Sequence, residues 1–182
     1  MHVFRDMTAA AHLLTLPGGT RFTVRPIEAG DKARLACFFR RLSDESRRRR
    51  FLGAKPKLSG RDLAFLTEVD QRRHVALVAL DATDAIVAVA RYAAWPGETG
   101  RAEMAFAVVD EWHGRGLGSA LCDRLVAHAR ASGLTALTGS TFALNEPAKA
   151  LLRRLGFTPT GISAGIAEYE LDFAAAALPA AA

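Results

Sequence analysis

Two stretches of the sequence hold residue types that could do chemistry. The first is Asp110-Glu-Trp-His-Gly-Arg-Gly-Leu-Gly-Ser-Ala-Leu121, with Gly114, Gly116 and Gly118 at alternate positions. Glycine opens backbone conformations closed to other residues and leaves no Cβ in a ligand's way. The apolar spacing of Leu117, Leu121 and Leu125 predicts a helix directly after the loop. The first N–H groups of a helix lack internal partners and sit at the positive end of its dipole, so this junction suits phosphate or another anion. The second stretch is Ala102-Glu-Met-Ala-Phe-Ala-Val108, a lone carboxylate in an otherwise apolar run. Burying such a group is costly unless it lies in a solvated cleft or is paired. As a strand, the run puts Glu103, Ala105 and Ala107 on one face and Met104, Phe106 and Val108 on the other. Glu103 with small neighbours suits a general base facing a substrate; the alternative is a strand glutamate paired with Arg91 or Arg101.

The glycine loop alone leaves several ligands open. A dinucleotide fingerprint needs Gly-x-Gly-x-x-Gly, and Ser119 stands in place of its last glycine. A phosphate loop ending in Gly-Lys-Ser/Thr is ruled out by the absence of the lysine. A glycine-rich turn with no ligand is the remaining alternative.

The elements that must hold these residues follow from the hydrophobic period. Thr20 to Ile27 alternates and ends beside a proline, which predicts a first strand. Asp31 reads as the N-cap of a helix with Leu35, Phe38, Phe39 and Leu42 inward. Ser43 starts a short helix through the arginine run to Phe51, and Ser59 caps a third with Leu63, Phe65 and Leu66 inward. His74–Leu80, Ile86–Ala94 and Arg101–Val109 read as an antiparallel meander. After the glycine loop and its helix come a strand at Thr135–Phe142, a helix capped by Asn145 and stopped by Gly156, and a closing hairpin from Phe157 to Phe173. The predicted fold class is α+β, or mixed α/β, with one central, mostly antiparallel sheet of about seven strands flanked by helices.

The chain has 182 residues, half apolar and a quarter charged, with a net charge of +5. That length fits one core domain, residues 20–173, between an N-terminal extension, 1–19, and an Ala-rich tail, 174–182, expected to fray. The surplus charge favours an acidic partner. No apolar run approaches the roughly 20 residues of a membrane span, and the N-terminal stretch makes a poor signal peptide, so a cytoplasmic enzyme with no membrane partner is expected. Two cysteines, Cys37 and Cys122, both in apolar helical patterns, read as buried free thiols. No cluster has metal-ligand spacing, so no metal is expected. Arg47–Arg50 invites a nucleic-acid reading, but a basic run on a helix is usually a solvated face, and few aromatics stand ready to stack bases. His74 and His128 sit in apolar patterns and read as satisfied core residues.

The loop, Asn145-Glu-Pro-Ala148 and Leu155-Gly-Phe157 occur together and in that order. This set resembles the GNAT superfamily of N-acetyltransferases, whose pyrophosphate loop reads Gln/Arg-x-x-Gly-x-Gly/Ala; here His113 takes the first position. Val24-Arg-Pro-Ile27, Leu42-Ser-Asp-Glu-Ser-Arg47, Arg50-Phe51, Lys55-Pro-Lys-Leu-Ser59 and Val89-Ala-Arg-Tyr92 are most similar to the catalytic domain of bacterial protein lysine acetyltransferases. The resemblance implies acetyl-CoA as co-substrate. It implies pyrophosphate bound by the backbone of Arg115, Gly116, Leu117, Gly118 and Ser119, with His113 and Gly114 beside it in the cofactor loop; His113 could touch a phosphate or serve the loop alone. It implies a pantetheine arm laid along Phe106, Ala107 and Val108, Asn145 near the thioester, and Glu103 as general base. The tyrosine that often serves as general acid in the wider family is replaced by Leu152. The acceptor implied is a protein lysine. The alternatives are a small amine, a non-catalytic acetyl-CoA sensor and, most weakly, a basic nucleic-acid binder.

Overall fold

The computed structural model describes residues 11–95 and 97–174. Its strands are β1 (His12–Thr15), β2 (Arg21–Pro26), β3 (His74–Leu80), β4 (Ile86–Ala94), β5 (Arg101–Val108), β6 (Ala136–Phe142), β7 (Thr158–Ser163) and β8 (Ile166–Asp172). They form one eight-stranded sheet in the order β1-β2-β3-β4-β5-β6-β8-β7. Every neighbouring pair is antiparallel except β5 and β6. The helices are α1 (Lys32–Arg41), α2 (Asp44–Phe51), α3 (Gly60–Thr67), α4 (Leu117–Ala131) and α5 (Glu146–Arg154).

The α+β class and the mostly antiparallel sheet agree with expectation; the extra strand comes from the N-terminal extension. Residues 12–15 pair only with β2 and are half-buried at best, so no apolar alternation announces them. The N-terminal residues 1–10 and most of the Ala-rich tail, 175–182, lie outside the described residues.

Period two decides what each face of the sheet holds. Met104, Phe106 and Tyr92 share a face with Leu77 and Ala90, and α4 packs there through Leu117, Leu121, Cys122 and Leu125, all essentially fully buried. Each such leucine contributes roughly 1.5–3 kcal/mol by leaving water. Tyr92 and His128 meet across this layer, with phenol oxygen and Nδ1 3.0 Å apart. The opposite face carries Glu103, Ala105, Ala107, Arg91 and His74 beneath α1, α2 and α3. Ser43 caps α2 and Ser59 caps α3, the latter reciprocated by Asp62.

Three local expectations need correction. The Asp31 carboxylate does not cap α1; it is fully buried and holds Arg25 at 2.7 and 2.8 Å. Phe65 does not face the core; it is 65% exposed and lies against the ring of His74. Cys122 is buried, but Cys37 is exposed, on the outer side of α1.

Candidate active site

The sheet opens at the one place where its strands run parallel. β5 and β6 pair only from Arg101 to Glu103 against Ala136 to Thr138. Beyond that point β5 stays bonded to β4 alone. The N–H of Val109 donates to Val87, which fixes the alternation: Glu103, Ala105 and Ala107 exchange backbone bonds with β4, whereas Met104, Phe106 and Val108 turn theirs to the open side. Nε2 of His113 donates to the Val108 carbonyl at 2.8 Å. Phe106 is left with its N–H and C=O directed at the gap. An extended, amide-bearing ligand can pair with such an edge as a further strand would.

The glycine loop closes the far end of this gap. Gly114 and Gly116 have φ of +69° and +88°, values that side chains rarely tolerate. Gly116 is also the N-cap of α4 and offers no side-chain cap. The N–H groups from Gly114 to Ser119 find no acceptor among the described residues. At Gly118 a Cβ would lie 3.1 Å from Cγ2 of Val108, so glycine here lets α4 start against the end of β5. Arg115 stacks over Trp112, which packs edge-on against Phe22. The arrangement is an unsatisfied row of donors at a helix N-terminus, suited to an anion such as a pyrophosphate.

Asp110, just before the loop, was not singled out from the sequence. Its carboxylate accepts from the Ser43 hydroxyl at 2.7 Å, the Ser46 hydroxyl at 2.8 Å and the Ser43 N–H at 3.0 Å. Burial would push this carboxyl up, but those bonds outweigh it and hold it below the usual carboxylate range. Asp110 thereby ties the loop to the start of α2.

Glu103 lies half-buried on the α2 side of β5, and its carboxylate has no hydrogen bond or ion pair among the described residues. Neither paired alternative forms. Arg101 pairs with Glu170 and Glu98, and Arg91 donates to the Leu66 carbonyl at 3.2 Å and lies 3.1 Å from Nε2 of His74. The arginine run divides. Arg47, Arg48 and Arg49 pair with Asp44 or Glu45 on the surface, and Arg48 stacks over Phe142. Arg50 turns inward, feels the charge of Glu103 and lines a cavity with Arg91 and Ala107. Burial pulls the proton affinity of Arg91 down, to about 9, and the nearby Arg50 adds to this. His74 is driven down to about 4, by burial first and then by Arg91, so its ring is neutral at physiological pH.

The other sequence candidates have definite places. Ala107 points its backbone at β4 and its methyl group into the Arg50–Arg91 cavity, so by register it belongs to the face of Glu103 rather than to the open edge. Asn145 is buried, with its oxygen accepting from the Ala148 N–H and its amide donating to Thr141 at 3.1 Å. That fixes the start of α5 at the mouth of the gap and commits the side chain. Leu152 is buried, and its methyl group lies 3.5 Å from where a Cβ on Gly139 would sit. Among the described residues no cluster of His, Cys, Asp or Glu is arranged to hold a metal, and no helix is long and apolar enough to cross a membrane.

The open edge of β5 thus leads into an uncapped, glycine-rich helix start. The model of the acetyltransferase (GNAT) family matches residues 38–157. The chain belongs to that family. It is an N-acetyltransferase by that membership, and the family's acyl donor is acetyl-CoA. Acetyltransferase PA5475 of Pseudomonas aeruginosa is 33% identical over 146 residues, 79% of this chain and 78% of that protein. Acetyltransferase Pat of Mycolicibacterium smegmatis is 30% identical over 155 residues, which are 85% of this chain but 46% of Pat. The crystal structure of the GNAT domain of S. lividans PAT superposes with a TM-score of 0.83 at 29% identity, covering 90% of this chain and 97% of that domain. The similarity to catalytic domains of bacterial protein lysine acetyltransferases is thus found in sequence and in fold.

Proposed function

We propose that this acetyltransferase transfers the acetyl group of acetyl-CoA to the ε-amine of a protein lysine, with Glu103 as general base. The observation that carries the reading is the unpaired carboxylate of Glu103 on the strand whose free edge begins one residue later. The similarity to Pat and to the S. lividans domain supports a lysine acceptor.

Acetyl-CoA supplies a thioester carbonyl and a leaving thiolate. The backbone N–H groups from Gly114 to Ser119 hold its pyrophosphate, and Phe106 pairs with its extended arm. A lysine amine has a pKa of about 10.4 and must lose a proton before it can attack. Glu103 takes that proton, through a water where the amine does not reach it. As the C–N bond forms and the C–S bond breaks, the carbonyl oxygen gains charge, and the N–H of Phe106 donates to it. Leu152 has no hydroxyl to offer, so the thiolate leaves without a proton from that position.

The test is acetylation of a bacterial lysate with mass-spectrometric mapping of the modified lysines. Glu103→Gln is expected to lower kcat about 10²- to 10⁴-fold with acetyl-CoA binding unchanged. Equal labelling by both proteins would remove Glu103 from the mechanism. Binding without labelling of any lysine would exclude the lysine acceptor.

A further inference from the structure

The acceptor side of the site holds more positive charge than the transfer needs. Under α1, α2 and α3 lies a cavity of about 30 Å³ lined by Phe38, Leu42, Arg50, Leu66, Arg91 and Ala107, among others. That is room for about two waters, the footprint of the two oxygens of a carboxylate. Its walls are apolar except for the two guanidinium groups. Arg91 is 6% exposed and spends one nitrogen on the Leu66 carbonyl and His74; its Nη2 and Nε have no acceptor among the described residues. Arg50 has no hydrogen bond or ion pair there at all. His74 contributes no charge, being neutral. Arg50 feels the charge of Glu103, but neither arginine hydrogen-bonds that carboxylate. Unfilled guanidinium donors held away from water cost free energy, and a cavity that gathers those of Arg50 and Arg91 is built for an anion.

We propose that Arg50 and Arg91 form a subsite for a carboxylate carried by the acceptor. The inference rests on the transfer reading above and specifies the acceptor's chemistry. Register supports it: Arg91 stands opposite Ala105 on β4, and Ala105 is two residues from Glu103 on the same face of β5. A carboxylate held by forked donors from both arginines would therefore orient an amine a few bonds away toward Glu103. When Glu103 takes the amine's proton, its own charge is lost, and the acceptor's carboxylate is then the group that balances the arginines. The carboxylate can come from the acceptor itself, as in a free amino acid, or from an acidic residue beside an acceptor lysine.

Two kinetic arms separate these sources. One compares free amino acids with their carboxamides; the other compares lysine peptides flanked by aspartate with the same peptides flanked by asparagine. In one arm the wild type is expected to favour the carboxylate about tenfold or more in kcat/KM, with the difference mainly in KM. Arg50→Gln should erase that preference. Arg50 makes no hydrogen bond, so the variant strands no polar partner; it gives up the stacking over Phe51, and thermal unfolding checks that it folds. Acetylation with no carboxylate preference in either arm overturns the subsite and leaves the transfer reading standing. If no acceptor is modified, the transfer reading fails, and titration of propionate against the arginine Nε–Hε resonances decides the subsite. Saturable shifts at Arg50 and Arg91 would support it, and their absence would overturn it.

Discussion

At the residue scale, the same signal marks both ends of the acceptor site. Glu103 stands out because a charged residue interrupts an apolar strand, and Arg91 interrupts Val87-Ala-Val-Ala-Arg-Tyr92 in the same way. From the sequence Arg91 reads only as a partner for Glu103; in the structure its partners are the Leu66 carbonyl and His74. Arg50 was hidden inside a run of like charges, and only the helical turn of α2 separates it from its three surface neighbours. Asn145 is the clearest case of one residue with two readings. The resemblance places it near the thioester, whereas its side chain is spent on the Ala148 N–H and on Thr141, itself 3% exposed. Asn145→Ala is therefore expected to cost about 1–2 kcal/mol of stability, from the lost cap and the stranded hydroxyl, with little change in KM for acetyl-CoA. Urea unfolding and steady-state kinetics on one preparation separate the two roles. A rise in that KM at unchanged stability would return Asn145 to the cofactor.

At the element scale, the active site is the consequence of two neighbouring strands that part after three paired residues. Hydrophobic period identified β3, β4 and β5, each with a continuous apolar face, and β6 was legible as a Thr-rich run of strand formers. The parting was not legible, since it depends on where β6 returns after α4 and on no residue within β5. The glycine loop was legible in composition and position. The individual duties of its glycines were not, because φ is a property of the folded backbone. Those duties yield a prediction. Gly116→Ala places a Cβ in open space but at a φ of +88°. The strain, roughly 1–2 kcal/mol, is relieved most readily by turning the first peptide groups of α4, which are the proposed pyrophosphate donors. Acetyl-CoA binding measured by calorimetry should weaken about tenfold, while Gly161→Ala, on β7 with no atom within 4 Å of its added Cβ, should bind as the wild type does. Unchanged affinity in Gly116→Ala would mean that the loop tolerates the strain without moving its donors.

At the scale of the whole molecule, each face of the sheet holds a histidine as an uncharged ring, His128 buried and His74 half-buried. His74 lies beneath α3 beside Arg91, and His128, on the inner side of α4, lies against Tyr92. The apolar patterns around them announced their burial, but not the partners that hold them, which come from strands and helices distant in sequence. Burial lowers both from the ordinary histidine value, His74 to about 4. The unfolded chain protonates these rings near 6.5, so across the interval from about 6.5 down to about 4 the unfolded state binds more protons than the folded one. The stability carried by the neutral rings is thus complete above 6.5 and is lost as the pH falls toward 4. Carboxylates held low act the same way, Asp31 with Arg25 and Asp62 with Lys55 from an unfolded value of 3.8, Glu45 and Glu146 from 4.5, and their loss sets in below about pH 5. The window from about 6.5 down to about 5 therefore belongs mainly to the histidines. Urea midpoints measured across it should fall for the wild type and fall less for His74→Gln, even though the variant starts from a lower midpoint at neutral pH for want of the ring against Phe65. Parallel slopes for the two proteins would show that His74 is protonated in the fold and would remove the neutral ring from the wall of the acceptor site.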